Sequence, residues 1–190
     1  MKKALLIVSV LLVAVISTAC INNIAVQELN NKAAEYMQKG DYETAMNRLQ
    51  ASLDLDSTMY QTYFNLGIAA ISANKYDKAI EALEDGIKIK PDFADFYYSL
   101  AIAQIGLADD IIKKADVEEV AEANSETEVA EIKRDITKEE KENAVELKKS
   151  AIENLNKYLE LAPDTKEKAS VEEMIKQCEE YLAQDEKKEA

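Results

Sequence analysis

Residues 60–93 read YQTYFNLGIAAISANKYDKAIEALEDGIKIKPDF, and this stretch decides the fold. Apolar residues recur in it at helical spacing, and the turn residues Ala73-Asn74-Lys75 interrupt them near the middle. Pro91 stops the pattern close to its end. The stretch is therefore predicted to form two amphipathic helices that are joined by a short turn.

The same pattern continues on both sides of this stretch when the sequence is superimposed on itself with a shift of 34 residues. The shift places Tyr42 on Tyr76, Ala45 on Ala79, Leu49 on Leu83, Tyr63 on Tyr97, Leu66 on Leu100 and Gly67 on Ala101. A period of this length, about 34 residues, indicates stacked helix-turn-helix repeats. With only four glycines and two prolines in 190 residues, the chain is predicted to be all-α.

The stretch resembles the tetratricopeptide repeat, whose signature has an aromatic residue, a Leu-Gly pair, a Tyr-x-x-Ala step and a closing proline. Tyr63, Leu66-Gly67, Tyr76-x-x-Ala79 and Pro91 match these features in order. The resemblance implies a helix-turn-helix superhelix of about three repeats. They cover 26–59, which is degenerate, 60–93 and 94–166, and are followed by a capping helix over 167–183 and a frayed tail over 184–190.

An acidic insertion separates the two helices of the third repeat. Pro163 lies much further along the chain from Pro91 than one repeat period, so that an insertion is predicted at about 109–146. This segment holds 14 acidic residues and six Lys or Arg. We expect extensions of both helices, a short middle helix and a tip near Asn124-Ser125, with capping boxes at Ser125-x-x-Glu128 and Thr137-x-x-Glu140. The segment is either a solvated helical hairpin or a recruiter of a basic partner.

The amino terminus has the pattern of a secretory signal peptide. Met1-Lys2-Lys3 precedes an uncharged run from Ala4 to Ile16, and small residues follow. The run is shorter than the roughly 18 to 20 residues that a membrane-spanning helix needs. Residues 1–19 are therefore predicted to be cleaved.

The exit Ser17-Thr18-Ala19-Cys20 resembles the bacterial lipobox. The resemblance implies a covalent lipid on Cys20, with a diacylglyceryl group and an acylated amino terminus, and residues 20–25 as a short tether. Several acyl chains are what stable membrane attachment requires. An ordinary signal peptide that is cut after Ala19 is the alternative.

Composition argues against several classes of function. The chain contains no histidine, so that the commonest general base and zinc ligand are missing. No catalytic site, metal site or cofactor other than the lipid is predicted. The formal charge of -14 argues against a nucleic acid partner. Cys178 lies in an apolar stripe at helical spacing, which predicts a buried small side chain instead of a reactive thiol.

The resemblance also implies where a partner binds, because the first helix of each tetratricopeptide repeat lines an inner, concave face. The predicted partner-binding residues are Asn30, Met37, Gln61, Phe64, Asn65, Ile68, Ile71, Tyr98, Ile102 and Ile105, with Gln27, Ala34 and Asp95 beside them. The set lacks the Lys and Arg cluster by which chaperone-docking members of the family clamp a terminal carboxylate. An amphipathic helix or extended segment is the expected guest, unless the insertion or the final helix fills the groove.

These features together predict a membrane-anchored, non-enzymatic scaffold or adaptor in the bacterial cell envelope. Its partners are expected to be other envelope proteins or peptide segments. No aspartate follows Cys20, so that the outer membrane, facing the periplasm, is expected if the source has two membranes. The alternatives are an accessory for solute or lipid uptake and a regulator of a cell-wall enzyme.

The variant Cys20→Ser is expected to leave the membrane fraction and to lose labelling by radioactive palmitate, because it has no thiol to carry the lipid. Its helix content, measured by circular dichroism, should not change. Cys178→Ala serves as the control and should stay with membranes. Retention of Cys20→Ser in washed membranes would contradict the predicted anchor.

Overall fold

The computed structural model describes residues 24–116 and 136–189. These residues form helices and the turns between them. In chain order the helices are α1 (24–38), α2 (Tyr42–Leu55), α3 (Tyr60–Ser72), α4 (Tyr76–Ile89), α5 (Ala94–Asp116), α6 (Lys138–Leu161) and α7 (Lys168–Glu189). The predicted all-α superhelix is confirmed.

The helices pair in sequence as α1 with α2, α3 with α4, and α5 with α6. Tyr42 and Tyr76 begin the second helices of the first two pairs and are separated by one repeat period. Tyr60 and Ala94 begin the first helices of the last two pairs with the same separation. Among the helices from α2 to α7, the most extensive contact joins α5 and α6, the two long helices of the third pair.

Equivalent residues end the first helices of the first two pairs. Gly40 has a φ of 76° and Asn74 has a φ of 55°, so that both adopt the left-handed conformation that commonly follows a helix. The backbone amide of Lys75 donates to the Ala70 carbonyl at 2.8 Å, and that of Asp41 donates to the Tyr36 carbonyl at 2.9 Å. The turn that the sequence predicts at Ala73-Asn74-Lys75 is confirmed, and Gly40 lies in the equivalent turn of the first pair.

The first apolar cluster lies within the first two pairs and the start of α5. Its fully buried members include Leu49, Leu83 and Phe96. The helices approach closely here because glycines face large side chains. A Cβ atom placed on Gly86 would lie 2.3 Å from Cε1 of Phe96, and one on Gly67 would lie 2.5 Å from Cγ of Leu83. Neither position has room for a methyl group unless its neighbour moves.

A second apolar cluster joins α5, α6 and α7. Its buried members are Ala101, Ala151, Leu155, Tyr158 and Val171. A partly buried ion pair adds to it, since Lys148 Nζ donates to Asp109 Oδ1 at 2.8 Å and lies 4.9 Å from the centre of the Tyr181 ring. All three helices are therefore held together by apolar and polar contacts.

The predicted extension of both helices into the acidic insertion is confirmed, because α5 continues to Asp116 and α6 begins at Lys138. The predicted capping box at Thr137 is also confirmed. Thr137 Oγ1 accepts from the Glu140 amide at 3.2 Å, while Glu140 Oε2 accepts from the Thr137 amide at 3.0 Å. The capping box at Ser125, the tip and the middle helix lie outside the described residues.

The final helix extends beyond the predicted capping helix, because α7 runs to Glu189 and a frayed tail was expected from residue 184. The reason is the length of α6, which offers a partner to the last turns of α7. Lys141 Nζ of α6 lies 2.9 Å from Asp185 Oδ1, and both side chains are mostly shielded from solvent. None of the described helices combines the length and apolar character needed to cross a membrane.

Replacing Gly86 with alanine is expected to destabilise the fold by about 1–3 kcal/mol, because the added methyl group overpacks the site beside the fully buried Phe96. Urea unfolding followed by circular dichroism measures this change. Glu84→Ala, at an exposed position of the same helix, is the control and should lie within about 0.5 kcal/mol of the parent. A Gly86→Ala variant as stable as the control would contradict the close packing.

Candidate partner-binding surface

The predicted partner-binding residues all lie on α1, α3 and α5, the first helices of the three pairs. The structure separates them by what their side chains already contact. Some pack into the two apolar clusters, one is committed to hydrogen bonds between helices, and the rest take part in neither.

Three of the predicted residues, Met37, Phe64 and Ile71, are half-buried and pack against the first cluster. Phe64 is the most constrained of them. Its ring meets Phe93 and Phe96 edge-on, with centroid distances of 5.3 and 5.6 Å. This edge-to-face arrangement is the geometry that aromatic rings favour, so that Phe64 contributes to the packing of the first apolar cluster.

Tyr98 and Ile105 pack against the second cluster. The Tyr98 ring lies 5.2 Å from the ring of Tyr158 on α6. The same cluster contains Val171 of α7, with Met174 packed at its edge. The final helix therefore shares an apolar cluster with the third-repeat end of the predicted surface.

Asn30 is committed to a polar network between three helices. Its Nδ2 donates to the Val26 carbonyl at 2.9 Å and to Ser52 Oγ at 2.8 Å. Its Oδ1 accepts from Thr62 Oγ1 at 3.2 Å. Ser52 and Thr62 are completely buried, so that this network satisfies polar groups in the interior. Sequence reasoning missed it, although polar residues at two core positions were a usable signal.

Four predicted residues belong to neither cluster and make up what we call the open inner surface: Gln61, Asn65, Ile68 and Ile102. Gln61 is exposed and the other three are half-buried. Ile68 on α3 and Ile102 on α5 occupy equivalent positions of successive repeats. Two aliphatic side chains therefore lie on neighbouring helices with amide side chains beside them.

Two further features of the described residues concern metal-ligating groups and the thiol of Cys178. No group of three or more His, Cys, Asp or Glu within 24–116 and 136–189 is arranged to hold a metal ion. Cys178 is 2% exposed, and burial raises the pKa of its thiol despite the nearby ammonium group of Lys148. The predicted burial of this small side chain is confirmed, and burial disfavours the reactive-thiol alternative. Cys20 lies outside the described residues, so that the lipid anchor stays a prediction.

Comparisons with known proteins agree with this architecture. Residues 36–105 match the tetratricopeptide repeat family. A TPR repeat-containing protein of Schizosaccharomyces pombe is 35% identical over 74 residues, which are 39% of this chain and 9% of that protein. The chain spans less than a fifth of the length of the curated relatives that it matches.

Solved structures share the fold at low sequence identity. The first TPR domain of Spaghetti (RPAP3), bound to an HSP90 peptide, has a TM-score of 0.58 and 14% identity and covers 83% of this chain and 93% of its own. The Yersinia enterocolitica type III secretion chaperone SycD, in complex with a peptide of the translocator YopD, has a TM-score of 0.55 and 18% identity. That likeness covers 80% of this chain and 91% of SycD. The described helices thus fold as a tetratricopeptide repeat superhelix.

Cys178 is expected to be unreactive towards a water-soluble disulfide reagent at pH 7 in the folded protein, since the thiol is buried and its raised pKa disfavours the thiolate. A Cys20→Ser background removes the other cysteine from the titration. We expect about one thiol equivalent to react after unfolding in urea, and Cys178→Ala supplies the blank. Rapid labelling without denaturant would contradict the burial of Cys178.

Proposed function

We propose that this chain is a membrane-anchored, non-enzymatic adaptor of the bacterial cell envelope, and that it binds a peptide segment of a partner protein on its inner surface. The observation that carries the proposal is the open inner surface of α3 and α5. There Ile68 and Ile102 are partly accessible and belong to neither apolar cluster. The accessible part of these two side chains can gain further contact area from a bound segment.

The composition of this surface favours an apolar guest over a charged one. None of the ten predicted partner-binding residues is Lys or Arg, so that a terminal carboxylate would find no cation among them. Gln61 and Asn65 can donate and accept hydrogen bonds with the backbone of a bound segment. We therefore infer that an internal segment with aliphatic side chains binds here, as a helix or in an extended form.

Two structural relatives support a peptide as the ligand class. The RPAP3 domain is bound to an HSP90 peptide, and SycD is in complex with a peptide of YopD. At these low sequence identities the likeness supports only a shared fold. That this chain also binds a peptide is our proposal. The absence of cations from the predicted surface makes the apolar mode of binding the better choice for this chain.

The anchor on Cys20 gives the proposed adaptor its place of action. Only residues 21–23 separate Cys20 from the first described helix, so that a lipid there would keep the repeats close to the bilayer. The acidic surface would oppose adhesion to anionic headgroups, which leaves the lipid as the attachment. We place the protein at the outer membrane, facing the periplasm, in a source with two membranes.

The double variant Ile68→Ser/Ile102→Ser is expected to lose partners that are cross-linked to the parent in native membranes. Removing two aliphatic side chains from an interface costs roughly 1.5–3 kcal/mol for each one that the partner fully buries, which corresponds to at least about a tenfold loss of recovery. Quantitative mass spectrometry of the cross-linked products measures this loss.

Ile89→Ser is the matched control, because Ile89 is 39% exposed on α4 and lies outside the inner surface. Thermal unfolding of both variants checks that the fold is kept. Phe64 is unsuitable for this test, since its ring packs on Phe93 and Phe96. Equal recovery of partners by the double variant and the control would remove the inner surface from the proposal.

A further inference from the structure

A second groove lies between α2 and α4, the second helices of the first two pairs. Both helices pack on α3, which lies beneath them. The groove has a volume of about 450 Å³, within the range of about 300–1,000 Å³ that is usual for ligand pockets. None of the predicted partner-binding residues lines it, so that it is separate from the open inner surface.

The floor of the groove is apolar. Tyr63 and Leu66 reach it from α3 and are half-buried, while Met46 and Ala82 contribute from α2 and α4. A methionine adapts its shape to different neighbours, which suits a floor that takes aliphatic groups. The floor therefore offers apolar contact area to something that enters between the two helices.

Carboxylates surround this floor. Glu43, Asp54, Glu81 and Asp85 line the groove, and Lys78 is the cation among its lining residues. The formal charge of the lining side chains is therefore -3. The acids come from both walls, since the first two belong to α2 and the last two to α4.

Only part of this negative charge is neutralised within the described residues. Glu43 is paired with Lys75, and Asp85 is paired with Lys88 at 2.7 Å. Asp54 and Glu81 take part in no salt bridge in the described part of the chain. One carboxylate without a salt bridge thus remains on each wall, and both lie beside the apolar floor.

We propose that this groove, which we call the acidic outer groove, binds a short segment of a partner protein in which Lys or Arg side chains alternate with aliphatic ones. The aliphatic side chains would contact the floor, and the ammonium or guanidinium groups would meet Asp54 and Glu81 at the rim. Charge complementarity identifies the occupant, because the lining side chains carry a formal charge of -3 and neither Asp54 nor Glu81 forms a salt bridge in the described part of the chain. Nucleic acid is unfavourable here for the same reason.

The acidic outer groove would bind its partner independently of the open inner surface, because the two sites lie on opposite faces of α3. Gln61, Asn65 and Ile68 belong to one side of α3, whereas Tyr63 and Leu66 reach the other. The chain could therefore hold an apolar segment and a basic segment at the same time. This inference stands without the function proposed for the inner surface.

A defined peptide tests the inference directly. The probe is a fluorescein-labelled, amidated nonapeptide of alternating lysine and leucine, and the protein is the mature chain with Cys20→Ser. Fluorescence anisotropy is expected to show saturable binding that weakens as sodium chloride is raised, because exposed charge pairs are screened by salt. A matched peptide with glutamate in place of lysine should not bind. Equal binding of the glutamate peptide, or no binding of the lysine peptide at millimolar protein, overturns the inference.

Charge reversal locates the site. The variant Asp54→Lys/Glu81→Lys is expected to weaken binding of the lysine peptide at least tenfold. The control Glu84→Lys/Glu153→Lys changes the net charge equally at exposed positions outside the groove and should bind within about twofold of the parent. An equal loss in both variants would mean that net charge alone attracts the peptide, which overturns the inference.

The inner-surface variant Ile68→Ser/Ile102→Ser separates the two sites. It should bind the lysine peptide as the parent does, whatever its effect on partners cross-linked in membranes. Loss of the lysine peptide in this variant would assign the binding to the inner surface and overturn the acidic outer groove. Failure of the inner-surface proposal leaves this result unchanged, so that the two proposals fail separately.

Discussion

The contact between the ring of Phe96 and the bare backbone of Gly86 fixes how the second and third helix pairs stack. Phe96 is among the largest fully buried side chains, and there is no space for a Cβ at Gly86. Tyr60, Phe64 and Phe93 surround the ring edge-on. Because this contact holds α5 against α3 and α4, it also sets the separation of the side chains that form the open inner surface.

The contact between the first and second helix pairs involves the equivalent repeat positions, but there the side chains are polar. Asn30, Ser52 and Thr62 stand one repeat period before Phe64, Gly86 and Phe96. The polar set satisfies its groups by hydrogen bonds between α1, α2 and α3, whereas the aromatic set fills space next to a glycine. The same three positions of the repeat can therefore hold helices together in either way, provided that no buried polar group is left without a partner. The degenerate first repeat keeps the fold by this substitution of hydrogen bonds for packing.

Local features of the sequence predicted much of the fold because they act over one or two helical turns. The repeat period predicted the paired helices, and the left-handed positions at Gly40 and Asn74 follow from short turns between them. The capping box at Thr137 depends on a residue only three positions away, and the burial of Cys178 follows from the apolar stripe of its own helix. These features depend only on residues close together in the chain, and they can therefore be predicted from the sequence.

The sequence by itself determined that helices pair in stacked repeats, but only the tertiary structure decided which of the predicted partner-binding residues pack into the apolar clusters of the described residues. Asn30 accepts a hydrogen bond from Thr62 of the next helix pair, and the ring of Tyr98 packs at a tilt against that of Tyr158, which lies beyond the acidic insertion in the sequence. The continuation of α7 to Glu189 and the acidic outer groove also depend on which helices become neighbours. The physical reason is that periodicity fixes which face of a helix is apolar, whereas the contact that each side chain makes depends on residues brought from far along the chain.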